Sequence, residues 1–136
     1  MSIRGTAPNQ NIIIRRGDIL ALYAYNLGSL ATIDDLWFTI KRRPSDADTA
    51  AVLQVSLATG LLYVNGVAAG DPLDGSITVV SAGAGTILIS VAAEEMASLY
   101  TVGIHDWDIQ TLTGDVVETL TYGHAYIAGD ATRSIV

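Results

Sequence analysis

The sequence predicts an all-β fold, a single antiparallel β-sandwich with one short helix. Three observations carry that prediction. Apolar residues recur at every second position through most of the chain, the spacing of strands whose faces alternate. The runs are short and are separated by turns rich in Gly, Asp, Ser and Pro. One stretch, "AAEEMASL", has helical spacing, with Met96 and Leu99 three apart and acids in its first turn. Sandwiches of this kind carry roughly seven to nine strands.

Each element follows from its residues. "DILALYAYNL" sets Ile19, Ala21, Tyr23, Tyr25 and Leu27 against Leu20, Leu22, Ala24 and Asn26. "DDLWFTIKRR" sets Leu36, Phe38 and Ile40 against Trp37, Thr39 and Lys41, and Pro44 with Ser45 and Asp46 ends it. "AVLQVSL" and "LLYVNG" are strands separated at Thr59-Gly60, and Asn65-Gly66 suits a tight turn because both residues tolerate positive φ. "AAGDPLDG" is a loop, and "SITVV" and "TILISVA" are strands flanking the flexible "SAGAG". The helix, near Glu94 to Leu99, is short enough to bridge two strands rather than form a layer.

The last stretch is a hairpin. Trp107, Ile109 and Thr111 share one face, and Asp108, Gln110 and Leu112 the other. Thr113-Gly114-Asp115 makes the turn, and Val117, Thr119 and Thr121 share a face on the return. Gly123 marks a bulge or bend, after which His124 to Ala128 continue as strand. The predicted core is Leu36, Phe38, Ile40, Ile89, Val91, Met96, Leu99, Trp107, Ile109, Val117 and Thr119.

Composition bounds the function. The 136 residues amount to one domain's worth of chain. Cysteine is absent, which excludes disulfides, thiolate metal sites and a thiol nucleophile. The start lacks a signal-peptide layout, and no apolar run approaches the ~20 residues of a membrane span. A soluble protein made in a reducing cytoplasm is expected. The net charge of −7 argues against nucleic acid and anionic membranes as partners. Half the residues are hydrophobic and only 15% are charged, so part of the apolar surface is expected to face another subunit.

Candidate chemistry is sparse, and no catalytic, cofactor or metal residue is assigned. Asp106 and Asp108 share a strand face and could hold a divalent cation beside His105 or His124. Two carboxylates are too few oxygens for such an ion, and pairing at the sheet edge is the favoured reading. Neither histidine accompanies a nucleophile elbow, and "GAGAGT" lacks the Lys and the helix of a phosphate loop. Arg16-Gly17-Asp18 reads as a strand start rather than an adhesion tripeptide. Trp37, Tyr23 and Tyr25 could form a sugar-stacking platform, but their alternation with Leu and Phe favours packing.

Residues 1–14 read as an N-terminal arm and 15–136 as the single sandwich domain. Ile12, Ile13 and Ile14 are consecutive and β-branched, so at least one must point away from any core. The arm is therefore expected to cross onto an adjacent subunit or an underlying shell or tube, with Arg4, Arg15 or Arg16 meeting acidic groups. Arg15-Arg16 and Lys41-Arg42-Arg43 hold five of the seven positive charges. Docking on an acidic neighbour and plain solvation are both open for them. The predicted interface is Ile12, Ile13, Ile14, Arg15, Arg16, Arg42 and Arg43.

The C-terminal pattern Trp107-Asp108-Ile109-Gln110, Gly114, Val117, Thr119-Leu120, Gly123, Ile127 and Asp130-Ala131-Thr132-Arg133 resembles the end of a β-sandwich module of tailed bacteriophages. That module forms the N-terminal domain of the upper baseplate protein of lactococcal phages. "RRGDILALYAY", "IDDLWFTIKRRPSDAD" and "AAEEMASL" are similar to its opening strand, its Asp-Leu strand with an Asp-rich loop, and its short helix. Order and spacing over residues 11 to 133 carry the likeness. Trp107 stands where the module usually has Tyr, and the chain stops where such proteins often continue into a fibre.

The resemblance implies an immunoglobulin-like or jelly-roll-like sandwich and a free-standing, non-enzymatic virion part: capsid decoration or cement, neck, tail or baseplate. It would form homo-oligomers, by habit trimers, and contact capsid or tail and baseplate proteins. The alternative is a carbohydrate-binding sandwich for host-surface glycans.

Overall fold

The computed structural model describes residues 2–4, 10–99 and 101–129. The Tyr100 position and the Asp130-Ala131-Thr132-Arg133 close lie outside them. Two sheets face each other across one core. The smaller has the order β1-β3-β9-β8, with β1 Ser2–Arg4, β3 Leu20–Tyr25, β8 Gly75–Ser81 and β9 Thr86–Val91. The larger has the order β2-β11-β10-β4-β5-β6-β7. Its strands are β2 Ile12–Arg15, β4 Asp35–Lys41, β5 Leu53–Ser56, β6 Gly60–Val64, β7 Val67–Ala68, β10 Gly103–Thr113 and β11 Val116–Ala128. The β-sandwich read from the sequence is the fold.

The period-two pattern sorts side chains as expected. In β3, Leu20, Leu22 and Ala24 are buried while Ala21, Tyr23 and Tyr25 are exposed. Leu36, Phe38 and Ile40 of β4 and Ile87, Ile89 and Val91 of β9 are fully buried between the sheets. Asn65 and Gly66 both take positive φ in the β6–β7 turn. The helix α1, Ala93–Ala97, connects β9 towards β10 and buries Met96, and Leu99 beyond it is buried too.

Eleven strands among the described residues exceed the seven to nine expected, because short edge strands such as β1, β2 and β7 add to the count. Two pairings are parallel, β1 on β3 and β2 on β11, and both come from the N-terminal segment. Here the expectation of an arm reaching a neighbour is corrected. Each of its two strands fills an open edge of the chain's own sheets, one edge in each. Ile3, Ile12 and Ile14 are 1%, 3% and 2% exposed in the chain's own core, and Ile13 points outward. Gln10 sits just before β2. Its N–H donates to the Tyr122 carbonyl at 3.2 Å, and its own carbonyl accepts from Trp107 Nε1 at 2.9 Å.

Two predicted core residues are also corrected. Val117 and Thr119 are exposed, although Trp107 and Ile109 on the neighbouring strand are buried. The β10–β11 ladder pairs Ile109 with Thr121 but Gln110 with Thr119, so Leu120 is an extra, bulged residue. A bulge inverts the alternation on one strand only. Thr121 keeps the inner face, and Val117 and Thr119 pass to the outer one. Gly123 is not the bulge. It lies in regular strand opposite Trp107, under the Gln10 backbone. Arg16-Gly17-Asp18, read as a strand start, is the turn between β2 and β3, where Gly17 has φ 87°.

Candidate functional site

The outer face of the larger sheet carries the chemistry. On β10 the odd residues His105, Trp107 and Ile109 point into the sandwich, which sends Ile104, Asp106 and Asp108 outward. Register then sets their neighbours. On β11, Tyr126, His124 and Tyr122 lie opposite Ile104, Asp106 and Asp108. On β4, Lys41 and Thr39 lie opposite Asp106 and Asp108 from the other side. Pro44, just after β4, closes one end. The result is a groove of about 230 Å³ with Asp106 and Asp108 on its floor, Tyr122 and Thr119 on one wall, and Lys41 with Pro44 on the other.

Its charges are unevenly satisfied. Lys41 Nζ lies 2.8 Å from Asp48, and His124 Nδ1 lies 3.1 Å from Asp106. Asp108 is half-buried, and desolvation pushes its carboxyl up to about 6 despite the opposing pull of Lys41. A shallow hollow lined by Ile13, Ile104, His124 and Tyr126 continues the strip towards β2.

The sequence-predicted residues separate. Asp106 and His124 meet, but His105 is buried on the opposite face and holds the Gly103 carbonyl at 3.0 Å, so that pairing is corrected. Among the described residues no three His, Asp or Glu come together to hold a metal ion. Of the predicted interface, Ile12 and Ile14 are core. Arg16 is half-buried and reaches the Ala97 carbonyl at 3.5 Å, while Ile13, Arg15, Arg42 and Arg43 are exposed. Arg4's side chain lies outside the described residues. Trp37 faces outward on the larger sheet, and Tyr23 and Tyr25 on the smaller, so the three aromatics cannot form one platform.

Tyr122 and Tyr126 escaped the sequence reading. Their spacing with His124 was visible, but which strand they oppose is set by the bulge and the hairpin register.

The second notable surface is the outer face of the smaller sheet. Over its three long strands, the described outward positions include Ala21, Tyr23 and Tyr25 on β3, Thr86, Leu88 and Ser90 on β9, and Ser76 and Thr78 on β8. None of these is charged. The two tyrosine rings stack at 6.0 Å.

No family model and no curated protein matches the chain. Among solved structures, the fold is similar to the extracellular fragment, with stalk region, of novel immune-type receptor 11 from Ictalurus punctatus. The identity is 12%, the match covers 94% of this chain and 91% of that one, and the TM-score is 0.43. No helix among the described residues is long and apolar enough to cross a membrane.

Asp108 makes stability depend on pH. The folded chain holds its proton more tightly than the unfolded chain, so a penalty develops as pH rises from 3.8 through about 6 and stays constant above. Water still reaches part of the group, so the penalty is on the order of 1 kcal/mol. Asp108→Asn is expected to remove it. Urea unfolding at about pH 4 and pH 7 should show the variant gaining about 1 kcal/mol on the wild type between the two. Parallel pH profiles for the two proteins would contradict the burial.

Proposed function

We propose that the chain is a non-catalytic structural part of a bacteriophage virion, working by self-association and by contact with neighbouring capsid, tail or baseplate proteins. The observation that carries this reading is the outer face of the smaller sheet over β3, β9 and β8, whose described side chains are all uncharged. A sheet face that stays in water normally alternates charged and polar residues outward. Hydroxyls, Ala, Leu and a stacked tyrosine pair cost less to desolvate than charged groups, and the depletion of charge matches the centre of a protein interface. The excess of apolar over charged residues in the whole chain supports the same conclusion. The order of motifs shared with the phage module supports the virion setting and a trimer as the assembly. The carbohydrate-binding alternative loses its aromatic platform, which is split between the two faces.

Size-exclusion chromatography with light scattering tests the association. The wild type is expected to elute as a homo-oligomer of three copies or a multiple. Replacing both tyrosines, Tyr23→Lys with Tyr25→Lys, should lower the mass while the chain stays folded by circular dichroism, because neither side chain is in the core. A double variant that keeps the wild-type mass would refute this face as the interface. The neighbouring genes give an independent check: tail or capsid genes are expected beside this one, and a metabolic operon would refute the virion setting.

A further inference from the structure

We propose that Arg42 and Arg43 of one copy dock in the Asp106–Asp108–Tyr122 groove of a second copy, across a two-fold axis. This rests on the self-association reading and names a second, separate contact for it. The smaller sheet's outer face and this groove lie on opposite sides of the sandwich, so one copy can use both at once.

The groove asks for a cation. The titratable groups around it are Asp106 and Asp108 from β10, Lys41 from β4, Asp48 from the turn beyond the loop, and Tyr122 and His124 from β11. Lys41 is held by Asp48 and leaves the groove net negative. Asp106 has His124 beside it, and among the described residues Asp108 has no ion pair. That carboxyl has already lost part of its hydration, which its raised pKa reflects, so a docking cation removes little more water from it. At about 230 Å³ the space is smaller than a typical drug-sized pocket and suits one or two side chains. Tyr122 on its wall offers a ring face, on which a guanidinium stacks while its N–H groups reach the carboxylates.

The loop supplies that cation. Arg42 and Arg43 are exposed, and neither makes an ion pair among the described residues. Arg43 is also next in sequence to Pro44, which lines the groove. A two-fold contact needs both complementary halves on one patch, so that each copy gives and receives the same residues. An acidic groove bordered by its own basic loop meets that requirement.

The test is a charge swap read by particle mass. Arg42→Glu with Arg43→Glu is expected to halve the wild-type mass. The reciprocal variant, Asp106→Lys with Asp108→Asn, is expected to do the same. An equimolar mixture of the two should restore the full mass, because every loop then meets a groove of opposite or unchanged charge. Wild-type protein should also fall to half mass between about 0.05 and 1 M salt, as expected of a screened contact. This salt series needs no variant and decides the matter even if the groove variant misfolds.

Variants of half mass that fail to recombine would overturn the direct pairing. Unchanged mass in the arginine variant would overturn this contact while leaving the tyrosine-face assembly standing. A wild type that is monomeric at every salt concentration would overturn both.

Discussion

Trp107→Ala is expected to destabilise the protein by on the order of 3–5 kcal/mol, the cost of emptying a large core site that cannot collapse. The indole is 2% exposed and lies against Phe38, with ring centroids 6.1 Å apart. Its N–H also donates to the Gln10 carbonyl at 2.9 Å, so it ties the strand entering from the N-terminus to the central hairpin. At this chain length the loss corresponds to a melting temperature lower by about 10–15 °C. Trp107→Phe separates the two contributions. It keeps most of the ring volume and forfeits the hydrogen bond, and should cost about 1–2 kcal/mol. Urea unfolding of both variants checks the ranking. If Trp107→Ala melts like the wild type, the residue is not in the core.

The second large effect is expected at Gly123. It is in regular strand, without the positive φ that usually demands glycine, yet a Cβ there would overlap the Gln10 carbonyl oxygen and lie 2.6 Å from its carbon. Both are backbone atoms, so no side chain can swing aside. Gly123→Ala must push the Gln10 segment off the sheet, at a cost of about 3 kcal/mol or more. The displacement breaks the bonds from Gln10 to Tyr122 and Trp107 and loosens β2 on β11. Hydrogen exchange should show protection lost first at Ile12 to Arg15, with β4 and β10 still protected. A uniform loss of protection, or none, would contradict this placement of the N-terminal segment.

These two residues also mark the limit of what could be read in advance. Trp107 was legible as core because it alternates with Ile109 and Thr111 against Asp108 and Gln110. That pattern reflects the geometry of one strand alone. Gly123 was legible only as an irregularity. Its reason is the close approach of Gln10, 113 residues earlier in the chain, and nothing near Gly123 in the sequence records that contact.

The same division runs through the molecule. Alternation, turn chemistry and helical spacing act over two to four residues, and the sequence by itself determined what depends on them. That includes the β-sandwich, the faces of β3, β4 and β10, the Asn65–Gly66 turn, and the short helix carrying Met96. Asp106 and Asp108 were likewise known to share a face. Tertiary structure alone decided the rest, because it depends on pairing between distant strands. A bulge at Leu120 is a mismatch between β10 and β11, and it moved Val117 and Thr119 to the outside. Ile12 and Ile14 looked like an exposed row until β11 was seen to have a free edge for them. Tyr122 and Lys41 flank Asp108 only once the register of three strands is set. Hydrophobic spacing specifies which side of a strand is apolar, but not which partner covers it, since many pairings bury the same area and only the complete sandwich selects one.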